Sequence, residues 1–327
     1  MHTSGSGGAN PIPSSMTRHQ YASDSILQSY DLYIPPSRHR LSSSPPKIWI
    51  IYLHGGYFRD PKVTSTSFRP ALSLLVTSPV YASLQPHVAG YASINYRLSP
   101  HPSHPQDPAK TPSYELRTAA WPQHLTDVRA AIAHLQAHHH FGSNYLLVGH
   151  SVGATMALLT ALLDASDPSS EGAEFVKPTA LLGVCGIYDF PRLHDVFPAY
   201  VDMTLNALKT PENVTRASPA LYSADEYVAR WTSGGDGATG TKTVMLAHSR
   251  DDGLVDWSQV EAMRDVFGAV GRDSIDCRVV EVKGLHNEVW ERGEELARVI
   301  DMAARAMLAE MDAGEVRWSG ETAREKS

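Results

Sequence analysis

Apolar positions along the chain fall into short runs with two different spacings. Ile48-Trp-Ile-Ile-Tyr-Leu53 is nearly continuous and rich in β-branched and aromatic residues. Such a run predicts a strand buried on both faces of a parallel sheet. Further strands are predicted at 26–34, 91–96, 145–148, 180–184, 243–247 and 277–282. Between them the spacing changes. Leu125, Val128, Ile132 and Leu135 lie on one face of a helix predicted over 121–137. Helices are also predicted from Val152 to about Leu163, over 258–267, and from Glu291 to about Met311. Strands alternating with helices imply an α/β fold, a mostly parallel central sheet flanked by helices on both faces.

The remaining segments set the organisation. Residues 1–20 are rich in Ser, Gly and Pro and are expected to be disordered. A single domain is expected over 21–312, with 313–327 as a flexible tail. Residues 192–231 carry helical stretches between two core strands, which suits a small helical cap insertion. Loops are expected at 37–46 and 164–177, and the Gly-rich 233–240 reads as mobile.

Composition narrows the function. Among 327 residues the net charge is −7 and Lys and Arg form no block, which argues against nucleic acid as a partner. Every apolar run is soon interrupted, so neither a membrane span nor a membrane partner is expected. The N-terminus lacks the basic-then-apolar order of a secretory signal. Only two cysteines occur, Cys185 and Cys277, both in apolar stretches, so reduced core thiols and a cytoplasmic location are expected. The expected partner is a small-molecule substrate, with a homodimer left open.

Gly149-His150-Ser151-Val152-Gly153 joins a predicted strand to a predicted helix. This is the G-x-S-x-G elbow in its strand–turn–helix context, and it marks Ser151 as a candidate nucleophile. The Val152 N–H then opens a helix and can face an oxyanion. A serine needs a base, and the base needs an acid, in the chain order Ser, Asp/Glu, His. Asp251 and Asp252 follow the strand at 243–247. Asp252 is preferred, three residues before Val255, while Asp251 reads as a solvated turn residue and Asp256 as a helix cap. His286, in the loop after the strand at 277–282, fills the third place. The run His138-His139-His140 cannot share one helix face, so no metal site is expected there, and no cofactor or metal is called for elsewhere. His54-Gly55-Gly56-Tyr57-Phe58 follows the strand at 48–53 and supplies the remaining oxyanion donors, drawn from Gly55, Gly56 and Tyr57.

These residues resemble the kynurenine formamidases (arylformamidases), fungal members above all, in the esterase/lipase branch of the α/β-hydrolase superfamily. The likeness rests on His54 to Phe58, Arg59-Asp60-Pro61, the run from Ile94 to Pro102, His104 to Pro108, Gly149 to Thr155, and His248-Ser-x-x-Asp252. Phe58 stands where the family motif carries Trp, an aromatic without an indole N–H. The resemblance implies an α/β-hydrolase fold and hydrolysis of N-formyl-L-kynurenine to L-kynurenine and formate, in tryptophan catabolism. On that substrate Arg59 is expected to meet the carboxylate, and Phe58 or Tyr188 to flank the ring. Two other readings fit the same residues: a general carboxylesterase, and a non-catalytic binding protein of hydrolase fold.

Overall fold

The computed structural model describes residues 16–36, 47–162, 175–232 and 241–324. The expectations for residues 1–15, 37–46, 163–174 and 233–240 lie outside these. The strands are β1 Thr17–Gln20, β2 Ser29–Tyr33, β3 Ile48–Leu53, β4 Val88–Ile94, β5 Tyr145–His150, β6 Ala180–Val184, β7 Lys242–Ser249 and β8 Ile275–Val282. They form one sheet in the order β1-β2-β4-β3-β5-β6-β7-β8. The β1–β2 and β2–β4 pairs are antiparallel, and every other pair is parallel. The continuous apolar runs of β3, β5 and β6 are buried along their whole length, as strands covered on both faces must be.

The helices are α1 Arg69–Thr77, α2 Gln123–His139, α3 Val152–Leu162, α4 Phe190–Val196, α5 Val201–Leu208, α6 Pro211–Arg216, α7 Ala224–Tyr227, α8 Ser258–Gly268, α9 Glu288–Arg292 and α10 Glu294–Arg324. Successive residues of β3 point to opposite faces and so divide the core. Trp49, Ile51 and Leu53 pack with α2, α3 and α8. Ile50 and Tyr52 pack with α1 and α10. Among the described residues no helix is long and apolar enough to cross a membrane.

The cap lies between β6 and β7 as α4 to α7. These helices are too short to persist alone and depend on their ends. Asp189 caps α4 through the Arg192 N–H at 2.9 Å, and Thr210 caps α6 through the Asn213 N–H at 3.2 Å. Ser223 and Glu226 form a reciprocal capping box on α7.

Three expectations change. Residues 17–20 are not disordered: they form β1, a fully exposed edge strand held by its ladder to β2. Its residues are all polar, so neither face carries an apolar signal. Helix α1 has no counterpart in the predicted elements, since Pro70 and the Ser/Thr-rich approach obscure its start. The last helix is split by Gly293 and continues to Arg324, into the stretch expected as a tail.

One buried charge ties the front of the sheet together. Asp127 of α2 is 1% exposed. It accepts from the Arg97 backbone N–H at 2.8 Å, from Arg97 Nη2 at 2.7 Å and from Gln28 Nε2 at 3.0 Å. It thus joins α2 to the segments after β4 and before β2. Removing one partner strands the others without water. Asp127→Ala is expected to destabilise the fold by about 3 kcal/mol or more. Urea unfolding measures this, and a loss below about 0.5 kcal/mol would contradict it.

Candidate active site

The elbow between β5 and α3 is built by backbone contact. A Cβ at Gly149 would lie 2.2 Å from the Gly153 carbonyl oxygen, and one at Gly153 would lie 2.3 Å from that of Leu53. Only glycine permits an approach this close. The turn holds Ser151 at φ 56°, a left-handed conformation rare for a residue with a Cβ. The Ser151 N–H is anchored on the Val184 carbonyl at 2.9 Å. The hydroxyl has no hydrogen-bond partner among the described residues and borders a cavity of about 180 Å³.

His286 borders the same cavity and is 6% exposed. Its Nδ1 lies 2.7 Å from Asp252 Oδ2, so Nδ1 carries the hydrogen and Nε2 is the free acceptor. The other oxygen, Asp252 Oδ1, accepts the Leu254 and Val255 N–H groups, each at 2.9 Å. Burial opposes the charge on Asp252. The His286 hydrogen bond and these two N–H groups outweigh it and hold the carboxyl below its ordinary range. Asp251 is exposed and makes no contact with His286. Asp256 Oδ2 accepts the Ser258 N–H at 2.9 Å at the start of α8, where Trp257 holds the N-cap position.

Two further histidines flank this pair. His150 Nε2 donates to the His286 carbonyl at 3.0 Å, and the rings lie 4.7 Å apart. His248 Nε2 donates to the Val255 carbonyl at 2.9 Å and lies 3.7 Å from Asp252 Oδ2. Desolvation, reinforced by the neighbouring His286 ring, pushes His150 down to about 3. Desolvation also lowers His248. Both therefore stay neutral and clamp the backbone on either side of the pair. His150, Cys185 and His286 offer ligand atoms within 4.8 Å of one another. Yet Nε2 of His150 and Nδ1 of His286 are already engaged, and burial keeps the Cys185 thiol protonated. His150 Nδ1 and His286 Nε2 remain open, and a protonated thiol is a poor metal ligand.

The loop after β3 carries the remaining polar groups. His54 Nδ1 donates to the Gly55 carbonyl at 2.9 Å, and the Tyr96 hydroxyl donates to it at 3.0 Å. In a trans peptide C=O and N–H point opposite ways. With its carbonyl held inside, the 55–56 peptide turns the Gly56 N–H outward, on the side where Gly56 borders the cavity. The Gly56 carbonyl likewise accepts the Arg59 and Asp60 N–H groups, which turns the Tyr57 N–H away from them. Among the described residues, the N–H groups of Gly56, Tyr57 and Val152 have no acceptor. Gly55 allows the loop to press on the elbow, since a Cβ there would stand 3.0 Å from that of Ser151.

Residues 56, 57 and 58 all have positive φ, at 91°, 50° and 65°. This curl separates Tyr57 from Phe58. Tyr57 faces the cavity, and its hydroxyl meets Thr204 Oγ1 of α5 at 2.7 Å. Thr204 gives its own proton to the Tyr200 carbonyl, so it accepts from Tyr57 and from His194 Nε2. Phe58 turns inward, fully buried against Trp121, His124 and Phe190. It does not border the cavity, contrary to expectation. Neither does Tyr188. Its ring fills a slot left by Gly183 and Gly186, where a Cβ would come within 2.3 Å of its hydroxyl, and Ile187 borders the cavity instead. Arg59 does border the cavity. Tyr200, Met203, Leu254, Asn287 and Trp290 also line it and were not anticipated. Asn287 and Trp290 follow His286 closely enough for helical spacing to have suggested them. The cap residues belong to no motif.

The sheet order, the elbow and the Asp252–His286 pair define an α/β-hydrolase fold. Solved structures agree at the level of fold. Esterase B from Lactobacillus rhamnosis aligns over 94% of this chain and 90% of its own, with TM-score 0.62 and 16% identity. A carbohydrate esterase from gut microbiota aligns over 91% of this chain and 99% of its own, with TM-score 0.56 and 16% identity. No protein-family model matches the chain. Curated relatives are more specific. The chain is 34% identical to the kynurenine formamidase-like hydrolase fscH of Fusarium equiseti, over 85% of this chain and 89% of that protein. It is 32% identical to the kynurenine formamidase avaC of Aspergillus versicolor, over 78% and 87%, respectively. It is 31% identical to the kynurenine formamidase of Meyerozyma guilliermondii, over 88% and 93%. The chain belongs to the kynurenine formamidase family.

The buried histidines predict how stability depends on pH. Desolvation pushes His54 down to about 4, and His124 and His150 to about 3. An unfolded histidine titrates near about 6.5. Between those limits the unfolded chain binds protons that the folded chain does not, so stability falls as pH drops from about 6.5 towards 4. Each histidine contributes up to about 1.4 kcal/mol per pH unit. Asp252, whose folded value is depressed, loses its contribution at lower pH, as pH falls from the ordinary carboxylate range towards its lower folded value. Urea midpoints at about pH 7 and about pH 5 test this. Equal midpoints would contradict it.

Proposed function

We propose that the chain is a serine hydrolase that deformylates N-formyl-L-kynurenine to L-kynurenine and formate. The observation that carries the proposal is the Asp252–His286 pair at 2.7 Å, opening on the cavity that Ser151 borders from a strained turn. Kinship to two kynurenine formamidases at 32% and 31% identity, and to a kynurenine formamidase-like hydrolase at 34%, supports the substrate.

In this reading His286 Nε2 takes the Ser151 proton as Oγ attacks the formyl carbon. The carbonyl oxygen becomes an oxyanion, received by the N–H groups of Gly56, Tyr57 and Val152. Asp252 stays ionised and stabilises the charged imidazole. His286 then gives its proton to the aryl amine as the C–N bond breaks, leaving formyl-Ser151. Water enters by the same steps and releases formate. A formyl carbon bears only hydrogen on its acyl side, so the close approach of Gly55 to Ser151 excludes nothing the substrate needs.

Ser151→Ala is expected to lower kcat/KM on N-formyl-L-kynurenine by about 10⁴-fold or more. Asp252→Asn should lower it by about 10⁴-fold, the scale seen when a triad acid becomes an amide. Asp251→Asn should stay within about threefold of the parent, as an exposed turn residue. Full activity in Ser151→Ala would overturn the nucleophile assignment. Hydrolysis of short p-nitrophenyl esters without deformylation would replace the formamidase reading with a carboxylesterase.

A further inference from the structure

Beside the reacting groups the cavity wall carries two opposite charges that the mechanism does not use. Arg59 and Asp60 both border the cavity. Two other partly buried arginines sit on carboxylates, Arg97 on Asp127 at 2.7 Å and Arg298 on Glu295 at 2.6 Å. Arg59 does not. Among the described residues its guanidinium has neither a salt bridge nor a hydrogen bond, and it does not close on the adjacent Asp60 within 4.0 Å. Partial burial disfavours its charge, which a bound anion would restore. Asp60 uses Oδ1 to accept the Lys62 N–H at 2.9 Å, and among the described residues Oδ2 has no partner.

The pair is held rigidly to the reacting centre. The Arg59 and Asp60 N–H groups donate to the Gly56 carbonyl at 3.0 and 2.8 Å. The segment that presents the Gly56 and Tyr57 N–H groups therefore also sets the reach to the two charges. The rings of Tyr57, Tyr200 and Trp290 line the same cavity. A cation beside an anion in a cavity with aromatic walls matches a particular ligand chemistry. The ligand has a flat middle and ends in a free α-amino acid, whose carboxylate takes a guanidinium bidentately and whose ammonium takes a carboxylate.

We infer that Arg59 and Asp60 form a zwitterion clamp that selects formamides bearing a free α-amino acid head, with Arg59 on the carboxylate and Asp60 on the ammonium. The inference rests on the formamidase reading and adds to it a rule of selection. Aryl formamides without the head bind by the aromatic walls alone.

The test compares two substrates, N-formyl-L-kynurenine and ortho-formamidoacetophenone, which keeps the ring, ketone and formamide and lacks the head. The readout is the ratio of their kcat/KM values. Arg59→Met keeps the aliphatic stem, and Asp60→Asn keeps the acceptor for the Lys62 N–H. Each is expected to lower the ratio about 10- to 100-fold, as loss of a charge-assisted contact does, chiefly through KM for the zwitterion. On the N-formylkynurenine analogue lacking only the α-amino group, Arg59→Met should lose as much and Asp60→Asn nothing. Variants that lower both substrates equally, or neither, would overturn the clamp and leave the formamidase reading standing. A parent enzyme that turns over neither formamide would overturn the formamidase reading and the clamp with it.

Discussion

The site depends on one steric constraint: three backbone segments touch where no side chain fits between them. Gly149 meets Gly153, Gly153 meets the end of β3, and Gly55 meets Ser151. These contacts force the tight turn that holds Ser151 at positive φ. They also bring the loop after β3 against the elbow, beside the cavity that Gly56, Tyr57 and Ser151 border. The parallel β3–β5 pairing, with Leu53 opposite Gly149, sets this meeting at the carboxyl ends of both strands. Fold and chemistry are thus joined at the level of main chain, before any reactive side chain is considered.

Electrostatics and hydrogen bonding build outward from there. Burial keeps His150 and His248 neutral, so each acts as a fixed donor to a backbone carbonyl. One holds the His286 loop and the other the Asp252 turn. The cap meets the loop after β3 through a polar chain. His194 and Tyr57 both donate to Thr204, which donates to Tyr200. The loop after β3 is therefore tied to α5 through the side chain of Tyr57.

Much of this was written plainly in the chain, because the strongest constraints leave strong signals. Strands buried on both faces must be apolar throughout, so β3, β5 and β6 were readable. The elbow needs glycine at 149 and 153, so it too was readable. The structure sets Asp252 rather than Asp251 on His286 because Asp252 receives the Leu254 and Val255 N–H groups, a local turn that fixes its side chain. Side-chain direction was not readable where backbone and neighbours decide it together. Phe58 turns inward through three successive positive φ values. Tyr188 turns inward because two glycines leave it a slot. Strand β1 is polar on both faces and owes its existence to a partner strand. The cap residues Tyr200 and Met203 reach the cavity through the packing of short helices, which no periodicity encodes.

The central claim is that hydrolysis runs through Ser151 as the nucleophile served by His286. Covalent titration tests it most directly. A fluorophosphonate should modify Ser151, as located by peptide mapping, and N-formyl-L-kynurenine hydrolysis should fall in step with the fraction of Ser151 modified. Hydrolysis that persists after Ser151 is fully modified would contradict the account.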